Sequence, residues 1–144
     1  MKEYWINWFL LNTLAQKFTL QKRTHCLYEF CNIHKDKVPF HDEFKQFLVG
    51  EIGDSNFYYD VYHIHKWKKG NFFEQHTDNR ANRRFAYVHE LKESKCKTKL
   101  LVKGEPKDFG LFDVHTLHQV PVIKDGERIS LTVFGKNKKE KVII

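Results

Sequence analysis

Apolar positions along this chain follow two different spacings. Over the first third they recur at helical intervals. After the break at Pro39, Phe44, Phe47 and Leu48 fall on one face of a helix that Asp42 can cap and that Gly50 and Gly53 end. A weaker helical stretch is predicted over Thr24 to His34, and the apolar run Tyr4 to Leu11 is read as a buried element. From Asn56 onward the spacing shortens. Phe57 to Trp67, Phe85 to Leu91, Lys99 to Val102, Gly110 to Val114, Val120 to Ile123 and Arg128 to Phe134 are short strand candidates, rich in aromatic and β-branched residues. Gly, Pro, Asp or Lys separates them, and Gly70-Asn71 supplies a turn. Helices followed by strands without helical interruption predict a helix layer on a mostly antiparallel sandwich or barrel. With 144 residues the chain makes one domain, 1–144, with mostly helical support over 1–55 and a β core over 56–136.

Composition narrows the classes. Three cysteines, none in a Cys-x-x-Cys pair, fit reduced thiols and a cytoplasmic setting better than a disulfide framework. The run Tyr4 to Leu11 is too short to span a bilayer and lacks a basic leader or a small-residue cleavage site, so no membrane association is expected. A formal net charge of +7 is concentrated in bursts at Lys66/Lys68/Lys69, Arg80/Arg83/Arg84, Lys92 to Lys99 and Lys136 to Lys141. Such a surface attracts anionic ligands and leaves nucleic acid open as a partner, although no basic helix stripe or RNA-binding aromatic motif accompanies it.

The candidate chemistry lies in the β half. The chain holds three His-x-acid pairs, at His34, His41 and His76. Only His76-Thr77-Asp78 follows a strand, a glycine turn and the aromatic pair Phe72-Phe73. In extended backbone, residues i and i+2 share a face, so His76 and Asp78 can reach one ion together. The third ligand is His115 or His118. His118, at the mouth of a strand, has the stiffer support and is preferred, which leaves His115 as a loop histidine or substrate contact. Two imidazoles and a carboxylate form a three-ligand face suited to non-haem ferrous iron. Arg128 to Phe134 alternates, with Arg128, Ser130, Thr132 and Phe134 on one face and Ile129, Leu131 and Val133 on the other. If the first face points inward, Arg128 and Ser130 can hold the far carboxylate of a small diacid. A two-residue hairpin at Asp125-Gly126 would set His118 opposite Val133, on the wrong side, so a bulge or slip near Pro121 is expected.

Together, Trp67-Lys-Lys-Gly70-Asn-Phe-Phe73-Glu-Gln-His76-Thr-Asp78, Leu111-Phe112, His118-Gln-Val120 and Gly126-Glu-Arg128-Ile-Ser130 resemble the Fe(II)- and 2-oxoglutarate-dependent oxygenases, most closely their prolyl 4-hydroxylase-like branch. The resemblance runs from about Tyr62 to Phe134, about half the chain. It implies a double-stranded β-helix (jelly-roll) core behind N-terminal helices. It further implies iron on His76, Asp78 and His118, with 2-oxoglutarate on the metal and its distal carboxylate on Arg128 and Ser130. Oxygen would be the second cosubstrate, ascorbate the reductant, and a proline-containing peptide or protein the substrate. The branch's tyrosine near Trp67 is missing, so Trp67 itself, Tyr62, His65 or Tyr87 is the expected cosubstrate contact. Phe73, Arg84 in the short basic segment after Asp78, and His115 are the expected substrate contacts. The same chemistry on a nucleobase or small molecule, or a non-catalytic binding module on this fold, are the alternatives.

Overall fold

The computed structural model describes residues 1–80 and 82–138. Ala81 of the basic segment after Asp78, and the end of the Lys136 to Lys141 burst, lie outside the described residues. Helices α1 (Glu3–Thr13) and α2 (His41–Ile52) bracket a hairpin, β1 (Thr19–Arg23) and β2 (Cys26–His34). There follow β3 (Val61–Trp67), β4 (Phe72–His76), β5 (Arg83–Ser94), β6 (Leu100–Val102), β7 (Glu105–Lys107), β8 (Phe109–Asp113), β9 (His118–Val120) and β10 (Glu127–Lys136). The stretch Thr24 to His34 is therefore a hairpin turn followed by strand β2 (Cys26–His34) and not the expected helix. Its residues alternate, with Cys31 and Ile33 buried towards the helices while Tyr28, Phe30 and Asn32 line a cavity on the other side. Both faces carry apolar or aromatic groups, which hides the period of two.

All strand pairings are antiparallel, in the order β7-β6-β9-β4-β2-β3-β10-β5-β8 with β1 beside β2. Strand β2 carries the path around the corner. Its start, Cys26 and Leu27, pairs with Phe73 and Phe72 of β4, and its remainder, Glu29 to His34, pairs with Lys66 to Val61 of β3. The sheet folds over on itself into the expected jelly roll, with helices on its larger face.

Two cores follow from the alternation. On the outer side, Tyr62 and Ile64 of β3 and Leu131 and Val133 of β10 pack with Trp5 and Phe9 of α1 and Phe44 and Leu48 of α2. Trp5, Phe9 and Thr13 are spaced for one helix face, and Trp5 stacks on Phe40 at 5.6 Å between ring centres. The inner side holds Trp67, Ala86, Leu100, Phe112 and Val120 around the cavity. Helix α2 begins at His41, so Asp42 stands in its first turn beside Glu43, favouring the positive helix end, and makes no cap; Phe40 is the N-cap residue. Gly50 lies inside the helix, and Gly53 at φ +89° supplies its left-handed end.

Candidate metal centre and anchor site

The turn between β3 and β4 sets up the first ligand. Gly70, at φ +89°, lets the chain reverse. Asn71 closes the turn by accepting from the Lys68 amide at 2.9 Å, and the Gly70 amide donates to the Ile123 carbonyl at 2.8 Å. Strand β4 then pairs with β9, Phe73 against Val120 and His76 against His118, with an irregularity between the two pairs. Counting along each strand, β4 holds one residue more than β9 in that interval. This bulge brings Phe73 and His76, which a regular strand would send to opposite faces, onto the same side. Their rings stack at 3.8 Å and 20°.

The bulge expected at Pro121 is thus found in β4 instead. The condition that called for it does not arise, because β9 pairs with β4 and β6 while β10 pairs with β3 and β5. Pro121 lies just past the end of β9, in the passage from one half of the sheet to the other, where no ladder needs its missing N–H.

His76, Asp78 and His118 converge, with ligand atoms all within 4.8 Å of one another. Asp78 Oδ1 is 3.6 Å from His76 Nε2, and Asp78 Oδ2 is 2.9 Å from His118 Nε2. The other ring nitrogens face carbonyls: His76 Nδ1 lies 2.7 Å from the Glu74 oxygen and His118 Nδ1 lies 3.0 Å from the Thr116 oxygen. Each Nδ1 must donate there, which turns each Nε2 towards the carboxylate as the nitrogen available to an ion. Burial holds His76 below the ordinary imidazole range. Burial would lower His118 as well, but its hydrogen bond with Asp78 and that carboxylate's charge lift it above. Burial would raise Asp78, and the His118 bond and charge override it and hold the carboxyl below its usual range. The donor set of two imidazole nitrogens and one carboxylate fits ferrous iron.

These ligands open on a cavity of about 270 Å³ that Arg128 also lines. Arg128 is 2% exposed. Its Nε lies 2.9 Å from Glu90 Oε1, and Nη1 donates to the Thr98 carbonyl at 3.2 Å. Glu90 pairs with Ser130 and shares the inward parity of Ala86 and Val88, so it faces the cavity side of β5. Trp67 Nε1 donates to Ser130 Oγ at 3.1 Å, which leaves the hydroxyl hydrogen of Ser130 free to donate elsewhere. Trp67 lines the cavity, but its one N–H is already committed.

Other expected contacts stand elsewhere. Tyr62 is fully buried on the helix side, with its hydroxyl 3.0 Å from that of Tyr59 and 2.8 Å from His41 Nδ1. Tyr87 packs edge-on against Phe44 and Phe47 in the same layer. Neither lines the cavity, because both fall on the outward parity of their strands. His115 is exposed in the turn before β9, its amide donating to Asp113 Oδ1 at 2.8 Å. Arg84 points away as well, in a two-pronged pair with Asp54 at 2.7 and 2.6 Å. A register shift between Gly135 and Lys136 re-aims the start of β5, so Arg83 takes the inward place. Phe73 does line the cavity, as the wall behind His76.

Several cavity residues had no sequence signal beyond their type. Tyr28 lies on β2, where a helix was expected, and its ring is 5.0 Å from Trp67 and 5.1 Å from His65. His65, one of the expected cosubstrate contacts, lines the cavity together with His63; both alternate with Tyr62 and Ile64 on β3, and burial pushes His63 down to about 4 and His65 to about 3, so both are neutral near pH 7. The period of two in that strand could have placed them inward.

No family model matches the chain, and no curated protein matches it. Solved structures do. A prolyl 4-hydroxylase from Pseudomonas putida superposes with a TM-score of 0.76 at 15% identity, over 96% of this chain and 89% of that one. A viral collagen prolyl hydroxylase from Paramecium bursaria Chlorella virus-1, in complex with 2-oxoglutarate, gives 0.71 at 12% identity, covering 96% and 92%. A Trichoplax adhaerens prolyl hydroxylase, bound to a peptide fragment of a hypoxia inducible factor, gives 0.68 at 14%, covering 94% and 78%. The fold of this chain is the one these oxygenases share.

Proposed function

We propose that this protein is an Fe(II)- and 2-oxoglutarate-dependent dioxygenase that hydroxylates a peptidyl proline while 2-oxoglutarate is converted to succinate and carbon dioxide. One observation carries the reading: two Nε2 atoms and a carboxylate converge on the same cavity that holds a buried arginine. His76, Asp78 and His118 would hold the iron, leaving its remaining positions for the cosubstrate and oxygen. Bound there, iron supplies the oxygen activation that no side chain can perform. Arg128 and the hydroxyl of Ser130 receive the distal carboxylate of 2-oxoglutarate, with the Trp67 indole orienting that hydroxyl. Phe73 backs His76, and Phe112 lies 4.8 Å from the His118 ring, so the ligands are walled by apolar groups.

The peptide substrate is supported by the peptide-bound neighbour from Trichoplax and by the cavity's aromatic lining, which includes Tyr28, Phe30 and Phe134. Aromatic faces suit a proline ring in extended polyproline conformation. Ascorbate is the reductant that would keep the iron ferrous. Among the described residues no helix is long and apolar enough to cross a membrane. Cys26, Cys31 and Cys96 are free and buried, in keeping with a reducing, cytoplasmic setting.

Incubation with ferrous iron, 2-oxoglutarate, ascorbate and a panel of proline-containing peptides tests the reading. It predicts succinate formation that requires iron and the gain of one oxygen on a proline. Absence of succinate with and without peptide contradicts it.

A further inference from the structure

The mouth of the cavity carries cations that the oxygenase reading leaves without a task. Arg23 comes from the tip of the β1–β2 hairpin, which is tied to β4 by the Glu74 amide donating to the His25 carbonyl at 2.9 Å. Arg80 follows Asp78, and Arg83 opens β5. All three line the cavity, and the Tyr28 phenol feels the charge of both Arg80 and Arg23. Asp78 is the sole carboxylate lining it among the described residues. None of the three arginines has an ion-pair partner there, whereas Arg84, Lys35 and Lys68 are paired with Asp54, Asp60 and Glu29.

Arg83 is the most defined of the set. Its guanidinium carbon lies over the Phe134 ring, 3.7 Å from the centroid, and the residue is half-buried. Stacking satisfies its face and leaves the planar edge of N–H donors free to receive an oxyanion. The charge balance points the same way. A dication, the Asp78 carboxylate, a dianionic cosubstrate and the neutral Arg128–Glu90 pair leave one negative charge, so the three arginines still carry an excess of two positive charges along the cavity.

Building on the oxygenase reading, we infer that the substrate carries an acidic side chain next to the residue that is hydroxylated, received by Arg83 with Arg80 and Arg23 at the cavity mouth. The three cations line one cavity, which suits one or two carboxylates better than a phosphate backbone.

Three peptides identical but for one position beside the proline, Glu, Gln or Lys, test this. Their binding to the anaerobic ferrous, 2-oxoglutarate-loaded protein is read by fluorescence anisotropy, and their turnover by mass spectrometry. The Glu peptide is expected to bind at least about tenfold tighter than the Gln peptide, with the Lys peptide weakest. The difference should shrink with added salt, close in Arg83→Gln and persist in Arg83→Lys. Equal binding of the three peptides overturns the inference, as does a single-stranded oligonucleotide that displaces the Glu peptide at lower concentration than the Gln peptide does. Charge-blind binding alongside iron-dependent succinate formation removes this inference alone, whereas absence of succinate removes the oxygenase reading beneath it.

Discussion

Asp78 makes the decisive contacts at the scale of single residues, because its two oxygens face both imidazoles. Asp78→Ala should lower ferrous affinity on the order of 100-fold or more, seen by anaerobic titration, since it removes a ligand and the charge that aligns His118. Unchanged affinity would place the metal elsewhere. Arg128 raises a subtler question. Its partner Glu90 is 8% exposed and already neutralises the cation proposed to receive 2-oxoglutarate. Glu90→Gln should therefore tighten 2-oxoglutarate binding several-fold while lowering the melting temperature, because the guanidinium stays buried with a weaker partner, a loss of about 3 kcal/mol or less. Weaker 2-oxoglutarate binding in that variant would instead make Glu90 a positioning residue that holds Arg128 in line. The ligand residues themselves were readable from spacing, since His76-x-Asp78 after a glycine turn has few physical alternatives. Arg83 was not, because a register shift at the start of β5 decides which way it faces and alternation alone carries no trace of a bulge.

Elements show the same division. The helices and the long β10 strand follow their patterns, with Ile129, Leu131 and Val133 under the helices and Arg128 and Thr132 facing the cavity. The β1–β2 hairpin escaped because β2 packs aromatic or apolar residues on both faces, so its period of two is masked and Tyr28 was lost with it. The partner of β9 also escaped. Short connections favour neighbours in sequence, yet the passage from β9 to β10 crosses between halves of the sheet. Close packing at the end of β10 gives a stability test. Gly135 lies against Phe85, and a methyl group there would overlap the phenyl ring. Phe85 is buried against Phe57, so it has little room to yield. Gly135→Ala should cost about 1–3 kcal/mol in denaturant unfolding. A cost near zero would mean that this part of the core repacks freely.

The described residues form a sheet with a helix-covered face and an inner face around the cavity, and the pH response should reflect the second. His63 and His65 have folded-state values pushed down by burial to about 4 and about 3, from 6.5. Between those limits the unfolded chain binds more protons than the folded one. Their contribution to stability is complete above about pH 6.5 and is lost as pH falls towards 4. Unfolding midpoints should drop over that window, and a His63→Asn, His65→Gln double variant should flatten the slope. A slope unchanged in the variant would assign the acid sensitivity to other groups. At this scale the charge map also matters, because three arginines line the cavity. On the proposed reading, substrate choice would rest on the strands and turns around the candidate metal site and on the hairpin tip at Arg23, which lies outside the stretch that resembles the oxygenases.

Anaerobic calorimetric titration of 2-oxoglutarate into the protein, with and without ferrous iron, tests the central claim most directly. One equivalent of 2-oxoglutarate should bind in the presence of iron, with affinity falling about 10- to 100-fold both when iron is withheld and in Arg128→Ala. Binding that is indifferent to iron, or absent under both conditions, would contradict the joint metal and anchor site described for this cavity.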